Sequence, residues 1–272
     1  MDISRTGRIL FAATSLALAG TASSDPARAG AWPLPKGETL VILPVIVSKA
    51  TDGFNSSGKV APRSSYSKNE VAPYVEYGAT ESLTLVGTFA WLRDETNYYG
   101  ITFRQQGFSR AEVGLRVSLG EWRGTRFAVQ PVIAVHGTSA GDDPFASRRG
   151  DMDHELDVIA GRSFNIFGVD GFTDTLIGYR HRPAGRPAQF KSDVTLGLKP
   201  RDGTMLLVKS ENFASVGRGN SAIASPSAAK LGASIVQDVA KPLAVEVGVM
   251  QTVAGRNIVR ERALKFGLWH RF

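Results

Sequence analysis

Apolar and polar residues alternate with a period of two along most of the chain. In "RAEVGLRVSL", Ala111, Val113, Leu115, Val117 and Leu119 share one face. Arg110, Glu112, Gly114, Arg116 and Ser118 share the other. "ESLTLVGTFAWL" sets Leu83, Leu85, Gly87, Phe89 and Trp91 against Ser82, Thr84, Val86, Thr88 and Ala90. "LAVEVGV" sets Leu243, Val245, Val247 and Val249 against Glu246 and Gly248. This is the pattern of strands with one apolar face. At ~9–11 residues per segment it has the length of a tilted strand crossing a bilayer.

Twelve such segments are predicted, near 38–48, 67–78, 81–92, 108–119, 125–137, 152–162, 171–181, 189–199, 203–213, 228–239, 242–254 and 261–272. Segments 38–48 and 203–213 are apolar on both faces for part of their length. An even count returns both termini to one side, as in single-chain bacterial barrels. Connections at 49–66, 93–107, 137–151 and 214–227 read as long outward loops. Those near 79–80, 121–125, 200–203 and 240–242 read as short periplasmic turns. The connection at 163–170 is long for its side, and those at 182–188 and 255–260 are short for theirs. Tyr77, Trp91, Trp122 and Phe272 stand at the edges of the apolar band, as an interfacial girdle would. A β-sandwich is the competing architecture, but it does not explain charges at mid-strand on the second face. The fold expected is all-β: one antiparallel transmembrane β-barrel over residues 30–272, of bacterial outer-membrane type, with residues 30–37 as a periplasmic lead-in.

The first residues name the compartment. Arg5 and Arg8 precede the short apolar run 9–20, and Ala27-Arg28-Ala29 follows. This pattern predicts a secretory signal peptide over residues 1–29, with cleavage expected after Ala29. Its loss removes Arg5, Arg8 and Arg28 against Asp2 and Asp25, taking the formal charge from +7 to +6. The positive charges are scattered, so nucleic acid is not an expected partner. With no cysteine in the chain, disulfides, thiolate metal sites and cysteine nucleophiles are all excluded. The 29 glycines recur inside strand-like runs, where a barrel bends or packs closely. Localisation is expected in the outer membrane of a Gram-negative cell, reached through the periplasm.

The polar face supplies the candidate lumen lining: Glu70, Glu76, Arg110, Glu112, Arg116, Asp153, Glu155, Asp157, Lys191, Asp193, Lys199 and Glu246. The acids of the sixth segment would face basic residues on the fourth and eighth. Two readings stand side by side: a charged constriction that selects a solute, or a salt-bridged filling that stabilises a narrow barrel. Neither catalytic residues nor a metal or other cofactor is assigned. A barrel phospholipase needs His and Ser two apart on one face, and Ser139 falls on the wrong face relative to His136. Asp142, Asp143, Asp153 and His154 suggest an omptin-like site by composition alone, since adjacent Asp153 and His154 point oppositely. The spacing of Asp142, Asp143 and Asp151 matches no calcium loop.

The last segment, "LKFGLWHRF", alternates to the end and stops on an aromatic residue. Phe266, Leu268 and Phe272 are similar to the C-terminal signal of outer-membrane proteins that the barrel-assembly machinery reads. His270 departs from the apolar residue usual at its place.

A narrower likeness is carried by "GAWPLPKGE" and "YSKNEVAPYVEYGATESLTL", through Trp32, Pro35, Lys36, Gly37, Lys68, Glu70, Pro73, Tyr74, Glu76, Tyr77 and Gly78. These stretches resemble the XagA-type outer-membrane proteins and the phenol meta-pathway-like outer-membrane transporters. The resemblance implies a porin-like channel or secretion-associated pore, serving exopolysaccharide export and biofilm or the passage of small organic solutes. Outer-membrane lipid, the assembly machinery, and a polysaccharide or organic solute are then the expected partners. The alternative is a closed structural barrel that presents surface loops without transport.

Overall fold

The computed structural model describes residues 30–98, 100–137, 140–141, 152–183, 186–217 and 225–272. The expected signal peptide lies outside the described residues. So do Asp142, Asp143 and Asp151, with most of the 137–151 connection.

Twelve strands form the wall. They are β1 (Thr39–Phe54), β2 (Val60–Val71, resuming at Tyr74–Gly78), β3 (Leu83–Tyr98), β4 (Ile101–Trp122), β5 (Thr125–His136) and β6 (Met152–Ile166). The rest are β7 (Val169–His181), β8 (Ala188–Arg201), β9 (Thr204–Val216), β10 (Ser227–Ala240), β11 (Leu243–Arg256) and β12 (Arg262–Arg271). Each pairs antiparallel with its successor. β2 is interrupted at Ala72–Pro73, where proline has no N–H to donate, yet both halves keep one register against β1. β12 returns to β1 from Leu40↔Arg271 to Lys49↔Arg262 and closes the barrel. At that seam Thr39 and Phe272 exchange both backbone hydrogen bonds, at 2.7 and 3.0 Å. Closure pairs every edge, which a wall facing lipid requires.

The outward face carries exposed Leu43, Val47, Leu85, Phe89, Val113, Leu115, Leu156, Val158, Ile177, Val208, Ile235, Val247, Leu264 and Phe266. A continuous apolar surface of that extent belongs in a bilayer. Tyr77, Trp91 and Trp122 are exposed, Trp122 as the last residue of β4 before its turn.

Three expected connections differ. Residues 49–66 and 93–107 are not long loops but extensions of β1–β2 and β3–β4 beyond the apolar band. The first turns at Asn55, whose side-chain oxygen accepts the N–H groups of Ser57 and Lys59. Polar composition marks departure from lipid, and the ladder continues because strand pairing needs no apolar face. The 163–170 connection is a two-residue turn, Phe167 and Gly168, with φ of 52° and 80°. Arg123 and Gly124 repeat that geometry between β4 and β5, at 50° and 76°. Positive φ at both central residues is the hairpin geometry that matches strand twist.

The largest difference is the lead-in. Residues 30–35 do not trail into the periplasm; they fold back inside the barrel, and exposed Lys36 and Gly37 turn the chain into β1. Trp32 is 6% and Leu34 1% exposed. The Ala31 N–H donates to Asp174 Oδ2 at 2.7 Å, and the Leu34 N–H donates to Thr84 Oγ1 at 3.1 Å. Trp32 meets Phe172 edge-on, with ring centroids 6.1 Å apart. Ala31 and Trp32 join Ala128, Ile159, Phe172, Leu207, Val236 and Ala244 in one apolar cluster. This explains why segment 203–213 is apolar on both faces: one side meets lipid and the other meets the plug.

Candidate functional site

The lumen is built in three levels, stacked because successive inward positions on a strand are about 6.6 Å apart along it. At the base, near the chain termini, residues 31–35 cross the opening. Gly78 and Gly161 make room for them. A Cβ at Gly78 would lie 2.0 Å from the Pro35 carbonyl oxygen, and one at Gly161 would lie 2.6 Å from the Trp32 ring. The Gly37 N–H donates to the Gly78 carbonyl at 2.8 Å, which fixes the end of the plug to β2. Beside the plug a cavity of about 950 Å³ opens between Lys199, Arg201, Met205, Val236, Trp269 and the β10–β11 turn.

The middle level centres on Arg116. Its Nη1 donates to Glu76 at 2.8 Å, its Nε to Gln130 at 2.9 Å and its Nη2 to Tyr74 at 3.0 Å. Gln130 passes the network to Asp157 at 3.2 Å. On the opposite wall Glu246 accepts from Ser234 at 2.8 Å, Lys265 at 2.9 Å and the Trp269 ring N–H at 3.0 Å. Charges this deeply buried persist only when every one is partnered.

Above it the signs alternate around the wall. Glu155 accepts from Arg180 and Lys191. Arg180 also reaches Glu112 at 3.2 Å, and Arg110 bridges Glu112 at 3.5 Å and Glu70 at 3.7 Å. Lys68 lies 3.3 Å from Glu70 and 3.4 Å from Glu261, which Lys230 contacts at 2.8 Å. Glu261 sits in the connection between Ile258–Val259 and β12, outside the wall strands. Burial alone would raise its pKa, but Lys68 and Lys230 outweigh that and hold it at about 2.

Of the twelve lumen candidates, Glu70, Arg110, Glu112, Glu155 and Lys191 thus fall into one chain, and Glu76, Arg116 and Asp157 into another. Asp193 stands apart, accepting the Asn212 N–H at 3.2 Å. Lys199 lines the basal cavity. Asp153 is fully buried at the outer rim, held by His136 at 2.8 Å, Arg186 at 2.7 Å and Arg182 at 3.6 Å. Its partner is therefore His136 on the neighbouring strand and not the adjacent His154. Two arginines saturate its carboxylate, so it acts as an anchor for the rim.

The candidate lumen lining omits Tyr74, Gln130 and Lys68, and it does not extend to the plug. The first two are neutral, and a search for charge does not select them, although Tyr74 shares the parity of Glu76; Gln130 meets Asp157 only through the strand register. The plug left a trace in the apolar Trp32 and Leu34, set against apolar residues on the inward face at one end.

No protein-family model matches the chain, and no curated protein matches it. Among solved structures it is similar to an outer-membrane channel from Pseudomonas putida F1. That match has 13% identity and a TM-score of 0.63, covering 92% of this chain and 100% of the other. The translocator domain of the autotransporter NalP from Neisseria meningitidis is also similar. There the identity is 11% and the TM-score 0.52, with 86% and 88% of the two chains covered. At such identities the likeness is one of fold, and the fold is that of the bacterial outer-membrane β-barrels.

Proposed function

We propose that this barrel is an outer-membrane channel for small organic solutes, held closed by its own N-terminal segment. The observation that carries this reading is the seating of Ala31, Trp32 and Leu34 inside the wall at the end where β1 begins and β12 ends. A permanently closed structural barrel could fill its base with wall side chains, as small barrels do. Here the filling is a separate stretch of chain, fixed by two side-chain hydrogen bonds to the wall and able to leave as a unit. The similar Pseudomonas putida F1 protein is described as a channel, which supports the same reading. Export of a polysaccharide fits less well, because the charged middle level and the plug together occupy the lumen of a twelve-strand barrel. Phe266, Leu268 and Phe272 serve as the signal through which the assembly machinery inserts the chain.

Planar-bilayer recording tests the proposal. The intact protein should conduct weakly and in bursts, and a protein lacking residues 30–37 should conduct steadily with a several-fold larger unit current. Equal, negligible currents from both would favour the closed barrel whose role is to present surface loops. A polymer-sized conductance in the intact protein would favour export.

A further inference from the structure

On the outward face of the β1–β12 seam, Lys49 lies directly opposite Arg262. Both side chains are exposed. Their cross-strand neighbours on either side are neutral: Ser67 beside Lys49, and Gln251 beside Arg262. Among the described residues neither cation makes an ion pair. Like charges directly opposite on a sheet face are destabilising, and a low-dielectric membrane boundary strengthens the repulsion. The other outward cations nearby are arranged differently, since Arg93 and Arg104 share Glu95 at 3.0 and 3.2 Å. One step below the pair, on the same face, come Val47 and Leu264, then Phe266, all exposed and apolar. The pair thus stands where the apolar band ends, at the rim remote from both termini.

We propose that Lys49 and Arg262 form a binding site for the phosphate of an outer-leaflet glycolipid, of the lipid A kind. A phosphate between the two cations turns the repulsion into two charge-assisted contacts, one of them able to be bidentate through the guanidinium. The acyl chains then lie along Val47, Leu264 and Phe266. This continuity with the apolar band is why the occupant is a lipid and not a free anion: the site is an open strand face and offers a soluble phosphate no enclosure. Basic residues placed at a membrane surface attract anionic headgroups in this way. The site rests on the outer-membrane fold and is independent of whether the lumen conducts.

The test uses the full mature barrel refolded in a neutral detergent, with unfolding followed by the change in gel mobility on heating. Bisphosphorylated lipid A should raise the midpoint of unfolding, and dephosphorylated lipid A should not. The Lys49→Gln/Arg262→Gln protein, relieved of the repulsion, should unfold at the same or a higher temperature without lipid. It should also need about tenfold more lipid A for half its shift. Should the double variant fail to fold, Lys49→Gln alone carries the same comparison, and the two-lipid comparison on the unaltered protein stands without either. A shift of equal size with both lipids, or in both proteins, overturns the proposal. So does a full shift from inorganic phosphate, which would make this a free-anion site. The mobility change without lipid reports separately whether the barrel has formed.

Discussion

Arg110 and Arg116 occupy the same face of β4, yet their surroundings give them different work. The Arg116 side chain is 6% exposed, and Glu76, Gln130 and Tyr74 take up its donors. Removing one partner of a buried pair strands the other charge, at a cost of about 3–5 kcal/mol. Arg116→Met should therefore lower the urea midpoint of the detergent-folded barrel sharply, while Arg110→Gln should cost under about 1 kcal/mol. The Arg110 side chain is 34% exposed and spans Glu70 and Glu112 at longer range. Its neutralisation should shift ion selectivity in bilayer recordings with the fold intact. Glu261 adds a pH dependence. Its folded pKa of about 2 lies below the ordinary carboxylate value near 4.3, so its contribution is complete above ~4.3 and lost as pH falls toward 2. Unfolding midpoints measured from pH 5 to 2 should fall more steeply for the native protein than for Glu261→Gln.

At the scale of elements, the plug and the last strand make opposite demands on the wall. The plug needs space, and Gly161 gives it. A Leu side chain there would collide with Trp32 and Ala31, so Gly161→Leu should displace the plug and raise the unit conductance toward that of the protein lacking residues 30–37. An unchanged current would mean that the plug does not gate. The last strand needs partners, and β1 and β11 supply them. Phe272 points outward at the seam, 63% exposed, with its ring 4.3 Å from that of His270. A side chain so exposed contributes little packing within the protein. Deleting Phe272 should leave refolding into detergent micelles nearly normal while membrane assembly in cells fails. Equal failure in both settings would make Phe272 a stability residue and remove its role as a signal.

At the scale of the molecule, closure is the property from which the others follow. The twelve-strand wall pairs every edge, so the folded protein should resist detergent denaturation and migrate differently before and after boiling, with a β-type circular dichroism spectrum. A helical spectrum, or solubility without detergent, would contradict the fold. The sequence alone determined the strand count, the outward apolar face and the existence of a polar face opposite it. All three follow from a period of two, which is local and survives in any register. It also marked the segment ending at Phe272 as a strand that alternates to its last residue. What only the tertiary structure decided depends on registers and curvature that no local pattern encodes. These include the pairing of Asp153 with His136, the gathering of Glu76, Arg116 and Gln130 from three strands, and the juxtaposition of Lys49 with Arg262. The plug belongs there too. Residues 31–35 carry no periodicity, and their place inside the barrel depends on the space left by Gly78 and Gly161 on strands far along the chain.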